Sequence, residues 1–223
     1  MRIKAIITGS TGMVGKGVLL ECLESPDVES VLVINRHAVG LKHVKIKEII
    51  HSDFHDLSAI KEHLYGYNTC FFCLGVSSAG LSEKEYSSIT YDLTLNFART
   101  LLSLNPELTF CYISGAGTDS REKSRMMWAR VKGKTENVLL ALPFKAAYML
   151  RPAFIQPMKG IRSRTKIYNI VYCITKPLYP VLKAFPKIIT NTEKLGKAMI
   201  KLALMDPDKK ILQNIDINRL VKN

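Results

Sequence analysis

The chain has 223 residues, 47% hydrophobic and 23% charged, with a formal net charge of +13. That length and balance suit one globular domain with a large core and exclude a disordered or low-complexity chain. No uninterrupted apolar stretch approaches the roughly 20 residues of a membrane-spanning helix, and Met1-Arg2-Ile3-Lys4 runs straight into a strand pattern without the apolar core of a secretory signal.

The charge is unevenly spread. Residues 1–120 carry 10 lysines and arginines against 13 carboxylates, whereas residues 121–223 carry 22 against 6. No acidic residue stands between Asn137 and Thr192. Such asymmetry speaks of partners rather than of fold: an anionic cofactor and substrate, an anionic membrane surface, nucleic acid, or simply solubility. The five cysteines, Cys22, Cys70, Cys73, Cys111 and Cys173, are an odd number placed mostly in strand or helix patterns. They suit a reducing compartment, and together with the missing signal they lead to the expectation of a cytoplasmic protein. Cys70 and Cys73 lie three apart in an apolar strand, so their thiols point to opposite faces and a metal or dithiol role is not expected.

Ile3, Ala5, Ile6 and Ile7 form a buried first strand. It ends in Thr8-Gly9-Ser10-Thr11-Gly12-Met13-Val14-Gly15, and a helix pattern begins at once and runs to Glu24. Strand, glycine turn and helix make a phosphate cradle. Gly9 permits the turn, Gly12 lets backbone approach a pyrophosphate, and Gly15 lets the helix pack on the strand. The free N–H groups and positive dipole end of the helix then face the phosphates. Ser30–Ile34 is the second strand, ending in Asn35-Arg36. At this position an acid selects the ribose 2′-hydroxyl of NAD and an arginine accommodates the 2′-phosphate of NADP. No acid stands there, so Arg36 favours NADP(H) over NAD(H).

Residues 44–50 predict a short, half-exposed third strand and Leu57–Leu64 a helix with Asp56 as cap. Asn68–Leu74 is a fourth strand running into the small-residue loop Gly75–Gly80. Ser82-Glu83-Lys84-Glu85 is a capping box opening a long helix to Leu104. Leu108–Ile113 is a fifth strand followed by Ser114-Gly115-Ala116-Gly117. Residues 126–142 read as a helix, and Ala146–Leu150 as a sixth strand ending in Arg151-Pro152. The remainder reads as mostly helical, with a second capping box at Thr190–Glu193 opening a helix to Leu204. Strands alternating with helices call for an α/β Rossmann-type, doubly wound parallel sheet flanked by helices on both faces. A single domain spans 1–223, with about 155–223 as a C-terminal substrate-side or lid part.

The motifs at 9–15, 35–36, Asp53, 114–116, 131–136 and 150–152 fall in the order of an atypical short-chain dehydrogenase/reductase. The chain resembles the NAD-dependent epimerase/dehydratase superfamily over about residues 1–205, and is similar to its small Tat-interacting oxidoreductase branch. The resemblance implies an oxidoreductase or epimerase-like enzyme. It implies that Gly9, Ser10, Thr11, Gly12, Met13, Val14, Gly15, Arg36, Asp53, Phe54, Leu74, Gly75, Lys132, Pro152 and Phe154 bind the cofactor, Asp53 through the adenine amino group. It also implies a catalytic serine at Ser114 and a lysine at Lys132. The tyrosine slot, four residues before Lys132, holds Trp128. An indole donates a hydrogen bond but exchanges no proton near neutral pH. Three accounts stay open: another group (Tyr91, Lys132 or a water) replaces the tyrosine, the hydride transfer needs little proton assistance, or the protein is a non-catalytic NADP(H)-binding regulator or assembly factor.

Between 160 and 187, Arg162, Arg164, Lys166, Lys176, Lys183 and Lys187 alternate with apolar and aromatic side chains. They suit an anionic or amphiphilic small-molecule substrate, peripheral contact with an anionic bilayer, or a lid packed on its own domain. Specific nucleic-acid binding is not expected, since no recognised module is present. His37, His43, His51, His55 and His63 show no metal spacing, and no metal site is expected.

Overall fold

The computed structural model describes residues 2–161 and 185–222. Strand β1 (Ile3–Thr8) is followed by helix α1 (Met13–Glu24), β2 (Val28–Asn35) and β3 (Ile46–Ile50). A 3-10 helix (Ser58–Leu64), β4 (Thr69–Phe72), α2 (Glu83–Ser87), a π-helical turn (Ser88–Asp92) and α3 (Leu93–Leu104) lead to β5 (Thr109–Ile113). Then come α4 (Met127–Ala141), β6 (Ala146–Arg151), β7 (Phe154–Gln156), β8 (Ile189–Asn191), α5 (Thr192–Met205), β9 (Ile211–Gln213) and α6 (Asn214–Leu220).

Seven strands form one wholly parallel sheet in the order β3-β2-β1-β4-β5-β6-β9. This is the expected Rossmann-type architecture. The central strands are buried on both faces, so they read as nearly unbroken apolar runs. Period-two alternation splits their side chains into two cores. Ile3, Ala5, Ile7, Val31, Val33, Phe71 and Leu150 pack under α1, α5 and α6. Ile6, Leu32, Ile34, Phe72, Phe110, Tyr112 and Met149 pack under the 3-10 helix, α3 and α4. Cys70 belongs to the second core and Cys73 packs against the first, so the two thiols do face opposite sides of the sheet. The order of strands reverses between β1 and β4. Their carboxyl ends therefore diverge into a crevice, the place where an open α/β sheet takes its ligand.

Several elements depart from the sequence expectations. Residues 58–64 form a 3-10 rather than an α-helix. The long helix from Ser82 is opened by the expected capping box, with Glu85 N donating to Ser82 Oγ at 3.3 Å and Ser82 N to Glu85 Oε2 at 2.8 Å, but is interrupted by the π turn. Thr190 lies in β8, and α5 is capped instead by Asn191, whose side chain accepts Lys194 N at 2.7 Å. Where the sequence predicts a mostly helical remainder, the described residues also contain three short strands. β7 and β8 pair with each other as a small parallel ribbon, and β9 adds the seventh strand to the main sheet.

The second core is stiffened by rings. Phe72 has no exposed surface and meets Phe97, Phe110 and Tyr112 at centroid distances of 5.6, 5.9 and 6.1 Å. Phe72→Ala opens a cavity in the strand next to the crevice and costs about 3–5 kcal/mol. A lower urea midpoint at unchanged m-value checks this.

Candidate functional site

The crevice begins where β1 ends. Gly9 takes φ +67, and a Cβ there would lie 2.7 Å from the Cys73 carbonyl oxygen of the neighbouring chain segment. The turn is closed by Gly12 N donating to Gly9 O at 2.9 Å. A Cβ on Gly15 would lie 2.3 Å from that same Gly9 oxygen, so α1 rests directly on the turn. Gly12 is the N-cap of α1. No side chain caps the helix there, and its first turn carries no acidic residue. Backbone N–H groups and an unneutralised positive dipole end thus open onto the crevice. That donor set fits a pyrophosphate, and only backbone without side chains fits the space.

The cleft beyond is lined by Gly9, Thr11, Gly12, Ile34, Asn35, Arg36, Phe54, Cys73, Leu74 and Gly75, with no carboxylate among them. Of the expected cofactor residues, Gly9, Thr11, Gly12, Arg36, Phe54, Leu74 and Gly75 therefore come together here, while Met13, Val14 and Gly15 form the first turn of α1 above it. Arg36 is exposed at the rim. Ser10 supports the turn. Its side chain is buried and exchanges hydrogen bonds with the Asn35 amide, donating to Oδ1 at 3.1 Å and accepting from Nδ2 at 2.8 Å. It locks the turn to β2, and its hydroxyl is committed to that lock. Asp53 is exposed, its carboxylate accepts His55 N at 2.9 Å, and Phe54 forms the wall beside it.

The second half of the site is built by α4 and the loop after β5. Ser114 N and Oγ both donate to the Leu150 carbonyl, at 2.9 and 3.1 Å, so this hydroxyl too is engaged by backbone. Ala116 N donates to Pro152 O at 2.8 Å, which laces this loop to the turn after β6. Phe154 begins β7, half-buried, with its N–H donating to Ile188 O at 2.9 Å. Lys132 Nζ donates to the Ser114 carbonyl oxygen. Trp128, one helical turn earlier, lies against Gly117, its Cη2 only 3.1 Å from where a Cβ would stand on that glycine. Lysine and indole thus share the face of α4 that meets the loop. A Cβ on Gly133 would lie 1.9 Å from the Asp119 carbonyl oxygen, so helix and loop touch through backbone here as well.

Burial pushes the Lys132 ammonium down to about 8, against the pull of neighbouring Glu136. The Tyr91 ring lies under Lys134 Nζ at 4.5 Å, and Lys134 is roughly 200° around the helix from Lys132. Sequence reasoning missed Asn35, Glu136 and Arg151. Glu136 has no exposed surface and holds the Arg151 guanidinium, whose Nε donates to its two oxygens at 3.0 and 3.2 Å. The four-residue spacing of Lys132 and Glu136 was the available signal for it. Arg162, Arg164, Lys166, Lys176 and Lys183, which carried the substrate, bilayer and lid expectations, lie outside the described residues. Among the described residues no helix is long and apolar enough to cross a membrane.

No protein-family model matches the chain. Among solved structures it is similar to the dTDP-glucose 4,6-dehydratase DesIV of Streptomyces venezuelae, with a TM-score of 0.68 at 12% identity over 98% of this chain and 80% of that one. It is similar also to the UDP-N-acetylglucosamine 4-epimerase of Methanobrevibacter ruminantium, at 0.64 and 15% over 94% and 75%. The chain has the fold of the short-chain dehydrogenase and epimerase/dehydratase enzymes. In sequence it is 27% identical to the protein FMP52, mitochondrial, of Debaryomyces hansenii over 91% of this chain and 86% of that protein. The FMP52 protein of Saccharomyces cerevisiae is 28% identical over 74% and 69%. These relatives are named mitochondrial, which overturns the cytoplasmic expectation. Buried thiols persist in any reducing compartment, so the cysteines never discriminated between them.

The Lys132 shift makes a stability prediction. Below pH 8 the lysine is charged in both states and the fold bears the cost of the buried charge. Between about 8 and its ordinary 10.5 the folded chain has lost the proton and the unfolded chain retains it. Stability contributed by this group therefore rises with pH through that window. Lys132→Met removes the cost, on the order of 3 kcal/mol. The variant's advantage in urea unfolding is largest at pH 7 and fades by pH 10.5.

Proposed function

We propose that the chain is a mitochondrial NADP(H)-dependent oxidoreductase that reduces a carbonyl compound, with Lys132 moving the proton. The observation that carries this reading is the uncapped, carboxylate-free start of α1 resting by backbone on the Gly9 turn and opening into the cleft that ends at Arg36. The DesIV structure holds NAD, and so does that of the Bordetella bronchiseptica enzyme WbmF, which has a TM-score of 0.66 at 14% identity over 98% of this chain and 77% of that one. Both support a nicotinamide cofactor. The preference for the phosphorylated form rests on Arg36 and on the lack of any carboxylate in the cleft wall. The mitochondrial setting rests on the names of the relatives.

When bound, a nicotinamide supplies or accepts a hydride. The chain's own residues supply the rest. The start of α1 binds the pyrophosphate, Phe54 and Leu74 wall the cleft, and Arg36 meets the 2′-phosphate. Lys132, held by Ser114 O and lowered to about 8, is a proton donor near neutral pH in a way an ordinary lysine is not. It gives its proton to the oxygen of a carbonyl that gains a hydride at carbon, and regains one from water. A second reading follows from Trp128, whose indole fills the tyrosine slot: the protein binds the cofactor as a regulator or assembly factor without turnover.

Titration followed by nicotinamide fluorescence tests the first part. NADPH binds more tightly than NADH, and Arg36→Ala weakens NADPH about tenfold or more while sparing NADH. Failure to bind either cofactor overturns the proposal, and equal binding removes the role of Arg36. In a screen of aldehydes and ketones, NADPH oxidation falls as pH rises through about 8, since the protonated lysine is the donor, and is lost in Lys132→Met. Tight binding with no oxidation across the screen leaves the second reading.

A further inference from the structure

We infer that the turn at 185–188, at the entry to β8, is a membrane-contact tip that seats the protein on an anionic lipid bilayer. Ile188 N and Ile189 N both donate to Phe185 O, at 3.0 and 2.9 Å, and close the turn. Its two ends lie at the surface: Phe185 is 56% and Ile188 59% exposed, with Lys187 exposed between them. The backbone beneath is pinned. Pro186 O accepts Asn214 Nδ2 and Asn218 Nδ2 of α6, each at 2.9 Å. Asn218 Nδ2 also donates to Ile189 O at 2.8 Å, and Phe154 N of β7 donates to Ile188 O at 2.9 Å. Both asparagines are buried. Two large apolar side chains are thus held out in water by a turn whose carbonyls are tied to the fold, and a turn so tied cannot swing them inward.

Charge chooses the occupant. In sequence, no acidic residue stands between Asn137 and Thr192, a stretch that holds nine lysines and arginines, Lys187 among them. Arg219 of α6, next to the Asn218 that holds the turn, is exposed, and so is Lys222 just beyond the helix. The carboxylate of α6, Asp216, is taken by Lys209 at 2.7 Å. Apolar side chains that enter the acyl boundary, with cations beside them that meet headgroup phosphates, are the two components of reversible interfacial binding. A soluble anionic ligand would use the cations and leave Phe185 and Ile188 in water. A protein partner fits less well, since a four-residue tip falls far short of the about 800 Å² that each side of a stable interface buries.

The test is co-sedimentation of the full chain with large vesicles, one set of phosphatidylcholine and one of phosphatidylcholine mixed equally with phosphatidylglycerol. The chain pellets with the anionic set, and its partition falls as salt is raised through about 0.1–0.5 M. Phe185→Ser/Ile188→Ser lowers the partition coefficient about tenfold or more. The urea midpoint of that variant is unchanged, because both side chains are exposed in the free protein. Lys187→Glu lowers the partition about fivefold or more. No pelleting with either set overturns the inference, and so does equal pelleting with both. An unchanged partition in the double variant overturns it too, by assigning membrane binding to another face. No nucleotide or substrate enters the assay, so its outcome is independent of the cofactor reading.

Discussion

A carboxylate with no exposed surface ties α4, β6 and the loop after β5 together. Glu136 joins α4 to β6 through Arg151, and Arg151 carries the link on to Ser120. Taking both charges out of water is expensive, and well-packed apolar residues would often stabilise such a position as well or better. What the pair adds is geometry. A guanidinium fork fixes a carboxylate in both distance and plane, and the rest of the site hangs from three elements so joined. The same three elements carry Lys132, the Ser114 carbonyl that it meets, and the Pro152 carbonyl that holds Ala116.

The other half of the site relies on contact without side chains. Gly15 on Gly9 and Gly9 on Cys73 let backbone meet backbone at the mouth of the crevice. The α4 side repeats the device at Gly133 against Asp119. Each close approach commits a loop to one path, since interiors of this density transmit a displaced atom to its neighbours. The glycine turn therefore fixes the floor of the cleft, whereas α4 holds Lys132 and Trp128 against the loop after β5. The turn belongs to β1 and α1 and the second half to α4, β6 and the loop after β5, so the two halves are held by different elements around one sheet.

Much of this was legible in the sequence because the signals were local. An apolar strand, a glycine turn and a helix in immediate succession declare the cradle, and alternating elements declare the parallel sheet. Four residues out of register or out of reach of local pattern account for most of what was not. The direction of the Ser10 hydroxyl is set by Asn35, 25 residues away. Thr190 has the spacing of a cap, but pairing of β8 with β7 claims it for a strand and hands the role to Asn191. Leu212 is the one buried residue of the three-residue β9, too little periodicity to announce a strand at the sheet edge. Glu136 sits among other charged residues of α4, and only its distant partner Arg151 explains why this one goes inside.

The exchange of a tyrosine for Trp128 is best understood through its neighbour. A phenol one turn before Lys132 would offer a hydroxyl that exchanges protons and a partner for the ammonium. The indole offers one N–H that it never gives up, and a broad apolar surface. One turn after the indole, burial is the largest cause of the lowered Lys132 pKa, as expected for an ammonium withdrawn from water.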